Sequence, residues 1–252
     1  MPPFSHILNP GQGKDNFLMM QGPILSVSVK GVDMDIQTVI FDYDGTLVWL
    51  NINFDHIRQE IEQLLIGYDI DFRSLKGLYV LEMIDEVTKS ISKMNPYEGP
   101  AFYHKALKIV AEHEVMAAKK GQIIPGVTTM LKMLRKRGIK IAIITRNCDK
   151  AVKMVFPDIE NFSDAYLPRD YVSQVKPHPD HLVLALKKME VNNPAYCLMV
   201  GDHLMDIEGG KRMGMKTAGV LTGKITRLGF IGAGADYILD DVTAIPGIIF
   251  KE

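Results

Sequence analysis

Thr38-Val39-Ile40-Phe41-Asp42-Tyr43-Asp44-Gly45-Thr46-Leu47 passes within four residues from a β-favouring run to a pair of acids. A short apolar run of this kind predicts a buried strand. Residues two apart in an extended chain point the same way, so Asp42 and Asp44 face one site. Two carboxylates that close repel each other unless a cation or a proton lies between them. Gly45 lets the backbone take positive φ and approach a ligand, and Thr46 offers a hydroxyl.

Outward from this segment the pattern is regular. Lys140 to Thr145, Ala165 to Leu167, Cys197 to Val200, Thr217 to Leu221 and Tyr237 to Leu239 read as further strands. Helical spacing appears between them over 126–137 (Val127, Met130, Leu131, Leu134) and over 181–189 (Leu182, Ala185, Leu186, Met189). Apolar strands alternating with helices predict an α/β fold: a doubly wound, mostly parallel sheet covered on both faces. Residues 48–123 interrupt the alternation with three apolar stripes of helical period: Ile57/Ile61/Leu64/Leu65, Leu78/Leu81/Ile84/Val87/Ile91 and Phe102/Ala106/Ile109/Val110/His113. With no convincing strand among them, they predict an all-helical insert directly after the first core strand. Residues 1–35 carry helix-breaking Pro and Gly and read as an N-terminal extension, with a short strand at Ile24 to Val29. The expected division is an extension (1–35), a core (36–47 and 124–252) and a helical insert (48–123).

Composition narrows the class. The chain has 252 residues, 47% apolar and 23% charged, with a formal net charge of −1. That balance gives no support to a nucleic-acid partner, which shows as a basic excess. No apolar run approaches the roughly 20 residues of a membrane span, and the first residues lack the order of a signal peptide. Two cysteines, Cys148 and Cys197, make no disulfide framework and no zinc pair, and a reducing cytoplasm is expected.

Ligands of open parallel sheets bind beyond the carboxyl ends of the strands, so those ends carry the argument. The first ends in Asp42 and Asp44. The second ends in Thr145-Arg146-Asn147, where a hydroxyl and turn N–H groups can hold a phosphoryl oxygen, or where Thr145 caps a helix. The third region is Val175-Lys176-Pro177-His178-Pro179-Asp180, whose prolines stiffen the loop around Lys176. His178 and His181 read as surface residues. The fourth ends in Gly201-Asp202-His203-Leu204-Met205-Asp206, bringing two more acids that suit metal ligation, with a helix cap as the lesser reading of Asp206 alone. Oxygen-rich acids beside a phosphate site suit Mg²⁺.

Acid pair, hydroxyl, lysine and acid pair in this order resemble the phosphatase branch of the haloacid dehalogenase-like (HAD) hydrolase superfamily. Asp42-Tyr43-Asp44-Gly45-Thr46 matches its DxDxT motif, Thr145 its strand-end Thr or Ser, Lys176 its lysine, and Gly201-Asp202 with Asp206 its GDxxxD. The KPxP context of Lys176 is typical of phosphoglycolate phosphatase-like members, and residues 48–123 stand where such proteins carry a helical C1 cap. The resemblance covers about 36–252.

It implies a Mg²⁺-dependent phosphatase acting on a small phosphate monoester through an aspartyl-phosphate, with 2-phosphoglycolate as a candidate. Asp42 would be the nucleophile and Asp44 the general acid and base. Gly45, Thr46, Thr145, Arg146, Asn147 and Lys176 would line the phosphate site. Asp42, Asp44 (through its carbonyl), Asp202 and Asp206 would serve the metal. Arg146 could reach a substrate carboxylate. The cap of such proteins usually chooses the substrate, but its charges Arg58, Arg73, Lys76 and Lys105 are equally well explained as solvated helix faces, and the cap offers contact surfaces for a homodimer. Two rivals stay open: a β-phosphoglucomutase-like phosphotransferase, which uses the same acid pair, and a phospho-accepting receiver module, a binding switch.

Overall fold

The structure, a computed structural model, describes residues 36–66, 68, 70 and 75–250. The extension expected over 1–35, with its strand at 24–29, lies outside these residues. Strands β1 (Thr38–Phe41), β4 (Lys140–Ile144), β5 (Ala165–Leu167), β6 (Cys197–Gly201), β7 (Lys216–Val220) and β8 (Tyr237–Leu239) form one parallel sheet in the order β5-β4-β1-β6-β7-β8. The chain leaves β1 toward β4 and β5, then crosses to β6 on the opposite side. The winding therefore reverses between β1 and β6, where an open sheet forms its ligand crevice.

Both faces of the sheet are covered, and the alternation of β1 shows how. Val39 and Phe41 pack with Val127, Met130, Leu131 and Leu134 of α4 (Val127–Lys136) and Val152 of α5 (Asp149–Val155). Ile40, one residue out of phase, packs with Leu182, Ala185 and Leu186 of α6 (Pro179–Lys188) on the other face. This is the period-2 rule of a strand buried on both sides. Helices α7 (Leu204–Arg212), α8 (Arg227–Ala233) and α9 (Ile245–Ile249) complete the layers. No described helix is long and apolar enough to cross a membrane.

Between β1 and β4 the chain forms α1 (Phe54–Leu64), α2 (Val80–Met94) and α3 (Glu98–Ala118), which bury Ile57, Ile61, Met83, Ile84, Val87, Ile91, Phe102, Ala106 and Val110 in a cluster of their own. The segment is not wholly helical, as the sequence suggested. It opens at β2 (Val48–Trp49) and closes at β3 (Gln122–Ile123), a two-residue antiparallel ribbon pairing Val48 with Ile123 and Trp49 with Gln122. Two residues are too few to show alternation, so the sequence pattern missed it. The far end of α3 leaves the helical cluster, and Ala118 packs with Cys148 and Ala151 at the start of α5. Arg58 is likewise no solvated charge: it donates to the Leu78 carbonyl and to Met83 Sδ, tying α1 to α2.

Candidate active site

Parallel register brings the predicted strand ends to one level. Phe41 pairs with Ile143 on one side and Val200 on the other, so Asp42 emerges between the ends of β4 and β6. Asp42 N–H bonds the Val200 carbonyl at 2.9 Å, and Thr145 N–H bonds that of Leu167 at 3.1 Å. Tyr43 points the opposite way into the core, where its hydroxyl donates to Val152 O at 3.1 Å. The pleat thus leaves Asp42 and Asp44 on the crevice side.

The Lys176 ammonium donates to Asp42 Oδ1 and, at 2.7 Å, to Asp206 Oδ1, and all three side chains are buried. Burial opposes the lysine's charge, but Asp206 and Asp42 more than offset it and hold its pKa above the ordinary value. Thr46 Oγ1 lies 3.4 Å from Asp42 Oδ2. Asp44 Oδ1 accepts the Leu50 N–H at 3.2 Å. Burial, with the Asp42 charge second, pushes Asp44 up to about 7, so this acid can hold a proton near neutrality.

Asp42, Asp202 and Asp206 each place a carboxylate oxygen within 4.8 Å of the others. Burial and the charges of Asp42 and Asp206 raise the Asp202 pKa, as expected of crowded carboxylates. An all-oxygen set of this kind fits Mg²⁺. The backbone closes tightly on it. At Gly45, with φ +73°, a Cβ would lie 2.3 Å from Asp202 Oδ2, and at Gly223 one would lie 2.0 Å from the same atom. Asp206 serves two purposes: Oδ1 holds Lys176, while Oδ2 accepts the His203 N–H at 3.2 Å at the head of α7.

Thr145 is buried, and its Oγ1 accepts the Asn147 N–H at 3.1 Å. Asn147 Nδ2 is buried with no hydrogen-bond partner among the described residues, a donor without an acceptor beside the Thr145 turn. Arg146 differs from expectation. Its guanidinium grips both Glu82 oxygens on α2 at 2.7 Å, donates to the Lys176 carbonyl and lies over the Tyr79 ring. With three N–H donors engaged inside the protein, Arg146 ties α2 to the Lys176 loop.

His181 is also corrected, because it is buried rather than at the surface. Its Nδ1 accepts the Lys176 N–H at 3.1 Å and its Nε2 lies 3.0 Å from the Leu167 carbonyl, pinning the lysine loop to the end of β5. Sequence reading also passed over Glu114 and Arg169. Glu114 takes Arg169 on both oxygens and accepts the Cys148 N–H at 2.9 Å, while Arg169 donates to the Arg146 carbonyl. A Glu in an apolar helical stripe, one turn from Val110 and Ala118, was the available signal. Thr222, whose hydroxyl donates to the Gly45 carbonyl, left none.

Comparison with known proteins agrees with this arrangement. Residues 39–220 match the model of the haloacid dehalogenase-like hydrolase family. A Bacillus cereus protein named pyrophosphatase PpaX is 29% identical over 224 residues, spanning 86% of this chain and 97% of its own. Among solved structures, a phosphonoacetaldehyde hydrolase-like protein from Oleispira antarctica superposes with a TM-score of 0.62 at 19% identity, covering 88% of this chain and 95% of its own. One described as a predicted phosphoglycolate phosphatase from Haemophilus somnus gives 0.57 at 19%, covering 86% and 99%. Four acids meeting at the winding reversal of a parallel sheet, within a match that spans most of the chain, place it in a family: this chain belongs to the haloacid dehalogenase-like hydrolases.

Proposed function

We propose that the protein is a Mg²⁺-dependent phosphatase that hydrolyses a small phosphate monoester through an aspartyl-phosphate on Asp42. One observation carries the reading: Asp42, held by Lys176 and grouped with Asp202 and Asp206, stands two residues before Asp44, an acid that burial and the Asp42 charge push up to about 7. An Asp42 oxygen attacks phosphorus as the ester P–O bond breaks, and Asp44 gives its proton to the leaving oxygen. Asp44, now ionised, takes a proton from water, which attacks phosphorus and breaks the Asp42–P bond, releasing inorganic phosphate. Splitting the displacement in two lowers each barrier. Lys176, Thr145 and the unpartnered Asn147 amide position the phosphoryl oxygens. Mg²⁺ held by Asp42, the Asp44 carbonyl and Asp202, with Asp206 in support, would neutralise charge on the phosphoryl group.

Residues 48–123 would act as the lid that reads the rest of the ester. Asp42 is 6% exposed, and the Arg146–Glu82 pair is a contact that lifting of this segment would break. The Glu82 pairing of Arg146 competes with a carboxylate-bearing substrate such as 2-phosphoglycolate, whereas the PpaX relative brings pyrophosphate into consideration. The receiver reading loses ground because such a module has no counterpart to the helical insert. Two buried, unpaired cysteines accord with a reducing compartment.

The test is phosphate release from 2-phosphoglycolate, sugar phosphates, nucleoside monophosphates and pyrophosphate, with and without Mg²⁺, beside Asp42→Asn. Mg²⁺-dependent release, lost at least a thousandfold in the variant, is expected. Transfer of phosphate to a sugar phosphate without release would make the protein a mutase. Equal rates in the variant would remove Asp42 as nucleophile.

A further inference from the structure

A second cluster of ligating side chains lies in the helical insert, away from the four acids. His56 and Glu60 stand one turn apart on α1, and His113 faces them from α3. Their placement is fixed from beneath. Asn53 caps α1 by accepting the His56 N–H at 3.0 Å, and burial of Ile57 and Ile61 sets the helix's rotation. Burial of Val110 and Glu114 does the same for α3. Both imidazole Nε2 atoms lie 3.1 Å from the same oxygen, Glu60 Oε1, and the two rings meet edge to face at 5.3 Å.

We propose that His56, Glu60 and His113 bind a divalent transition-metal ion, with Zn²⁺ as the probe, which clips α1 to α3. Two imidazole nitrogens and one carboxylate oxygen form a donor set that suits zinc and is too nitrogen-rich for Mg²⁺. Tetrahedral bonds of about 2.0–2.1 Å place neighbouring donors about 3.3 Å apart. The two 3.1 Å spacings to Glu60 Oε1 are close to this value, the three ligand atoms all lie within 4.8 Å of one another, and the Nε2 protons leave as metal binds. As a plain hydrogen-bonded pair, His56 and Glu60 on this exposed helix face would add little. Two imidazole nitrogens and a carboxylate oxygen from two helices, all within 4.8 Å of one another, supply the donors of a three-ligand face. Among the described residues there is no fourth protein ligand, so water completes the shell and the ion exchanges with solvent.

The experiment uses untagged full-length protein, stripped with chelator and held in excess Mg²⁺ to load the oxygen site, then titrated calorimetrically with Zn²⁺. One Zn²⁺ per chain is expected for the wild type and for Asp202→Asn, with at least tenfold weaker binding by His56→Asn and Glu60→Gln. His56 is a surface residue, so its variant keeps the fold, checked by circular dichroism. Zn²⁺ should raise the wild-type Tm and leave that of His56→Asn unmoved. Co²⁺ should give the intense absorption of a tetrahedral site in the wild type and lose it in His56→Asn. Equal Zn²⁺ binding by His56→Asn and wild type overturns the proposal. Loss of binding in Asp202→Asn alone also overturns it, by assigning the ion to the catalytic acids.

Discussion

Asp206 and Lys176 form a buried ion pair 2.7 Å long, which ties the head of α7 to the loop before α6 and aims the same ammonium at Asp42. Removing one partner from such a pair leaves a charge in the interior with less compensation, at a cost of about 3–5 kcal/mol. Asp206→Ala should therefore lower the unfolding free energy measured with urea by that amount, moving the midpoint down in proportion, and reduce kcat at least tenfold. Asp206→Asn, which keeps a hydrogen-bond acceptor, should lose about 1–3 kcal/mol. An unchanged midpoint in Asp206→Ala would show that the pair is not part of the frame.

Glu114 and Arg169 do the same for the end of α3. Glu114→Ala and Arg169→Ala should each destabilise by about 3 kcal/mol, and the double variant by much less than their sum. A double-mutant cycle measured by denaturant unfolding gives the coupling directly. Additivity would mean that the two side chains do not sense each other.

Stability should depend on pH through His181. Burial, ahead of the nearby Lys176 charge, depresses this imidazole to about 4, while the unfolded chain protonates it near 6.5. Between those values the unfolded state binds the extra proton. Stability therefore falls as pH drops from about 6.5 to about 4, by up to about 3 kcal/mol, and levels off below. The raised carboxylates, Asp44 among them, act in the opposite sense. The difference between wild type and His181→Gln isolates the histidine: the variant should lack this slope, measured by unfolding from pH 4 to 7. Parallel curves would refute the assignment.

Two glycines offer a matched comparison. Gly45 and Gly77 both have positive φ, but a Cβ at Gly45 meets Asp202 at 2.3 Å, whereas one at Gly77 meets nothing within 4 Å. Each Ala substitution should cost about 1–2 kcal/mol for the left-handed backbone. Gly45→Ala alone should lower kcat/KM and Mg²⁺ affinity, at least tenfold. Equal activity of the two variants would show that the close approach to Asp202 is immaterial.

The sheet and the meeting of Asp42, Asp44, Lys176, Asp202 and Asp206 were legible because buried parallel strands are continuous apolar runs that stop abruptly at polar chemistry. Val39-Ile40-Phe41 before Asp42 and Leu198-Met199-Val200 before Asp202 are such cases. The β2–β3 ribbon was not legible, since two residues carry no period. Nor were the partners of Arg146, His181 and Glu114. An Arg, a His or a Glu looks the same in sequence whether it faces water or a buried counterpart. Which one it meets depends on tertiary packing across separations such as the 64 residues between Glu82 and Arg146.

The order of strands in the sheet also bears on how the molecule is made. Thr38 pairs with Lys140 and Cys197, partners 102 and 159 positions later (140 − 38 and 197 − 38). Contacts of such long range form late, after local helices and their neighbours. In pulse-labelled refolding, amides of α2 and α3 should gain protection before those of β1. During synthesis from the N-terminus, the strand that presents Asp42 emerges early, yet its first edge waits for the 102 positions to β4 and its second for the 159 to β6, more than half of the chain, so it needs shielding from neighbouring chains in the interval.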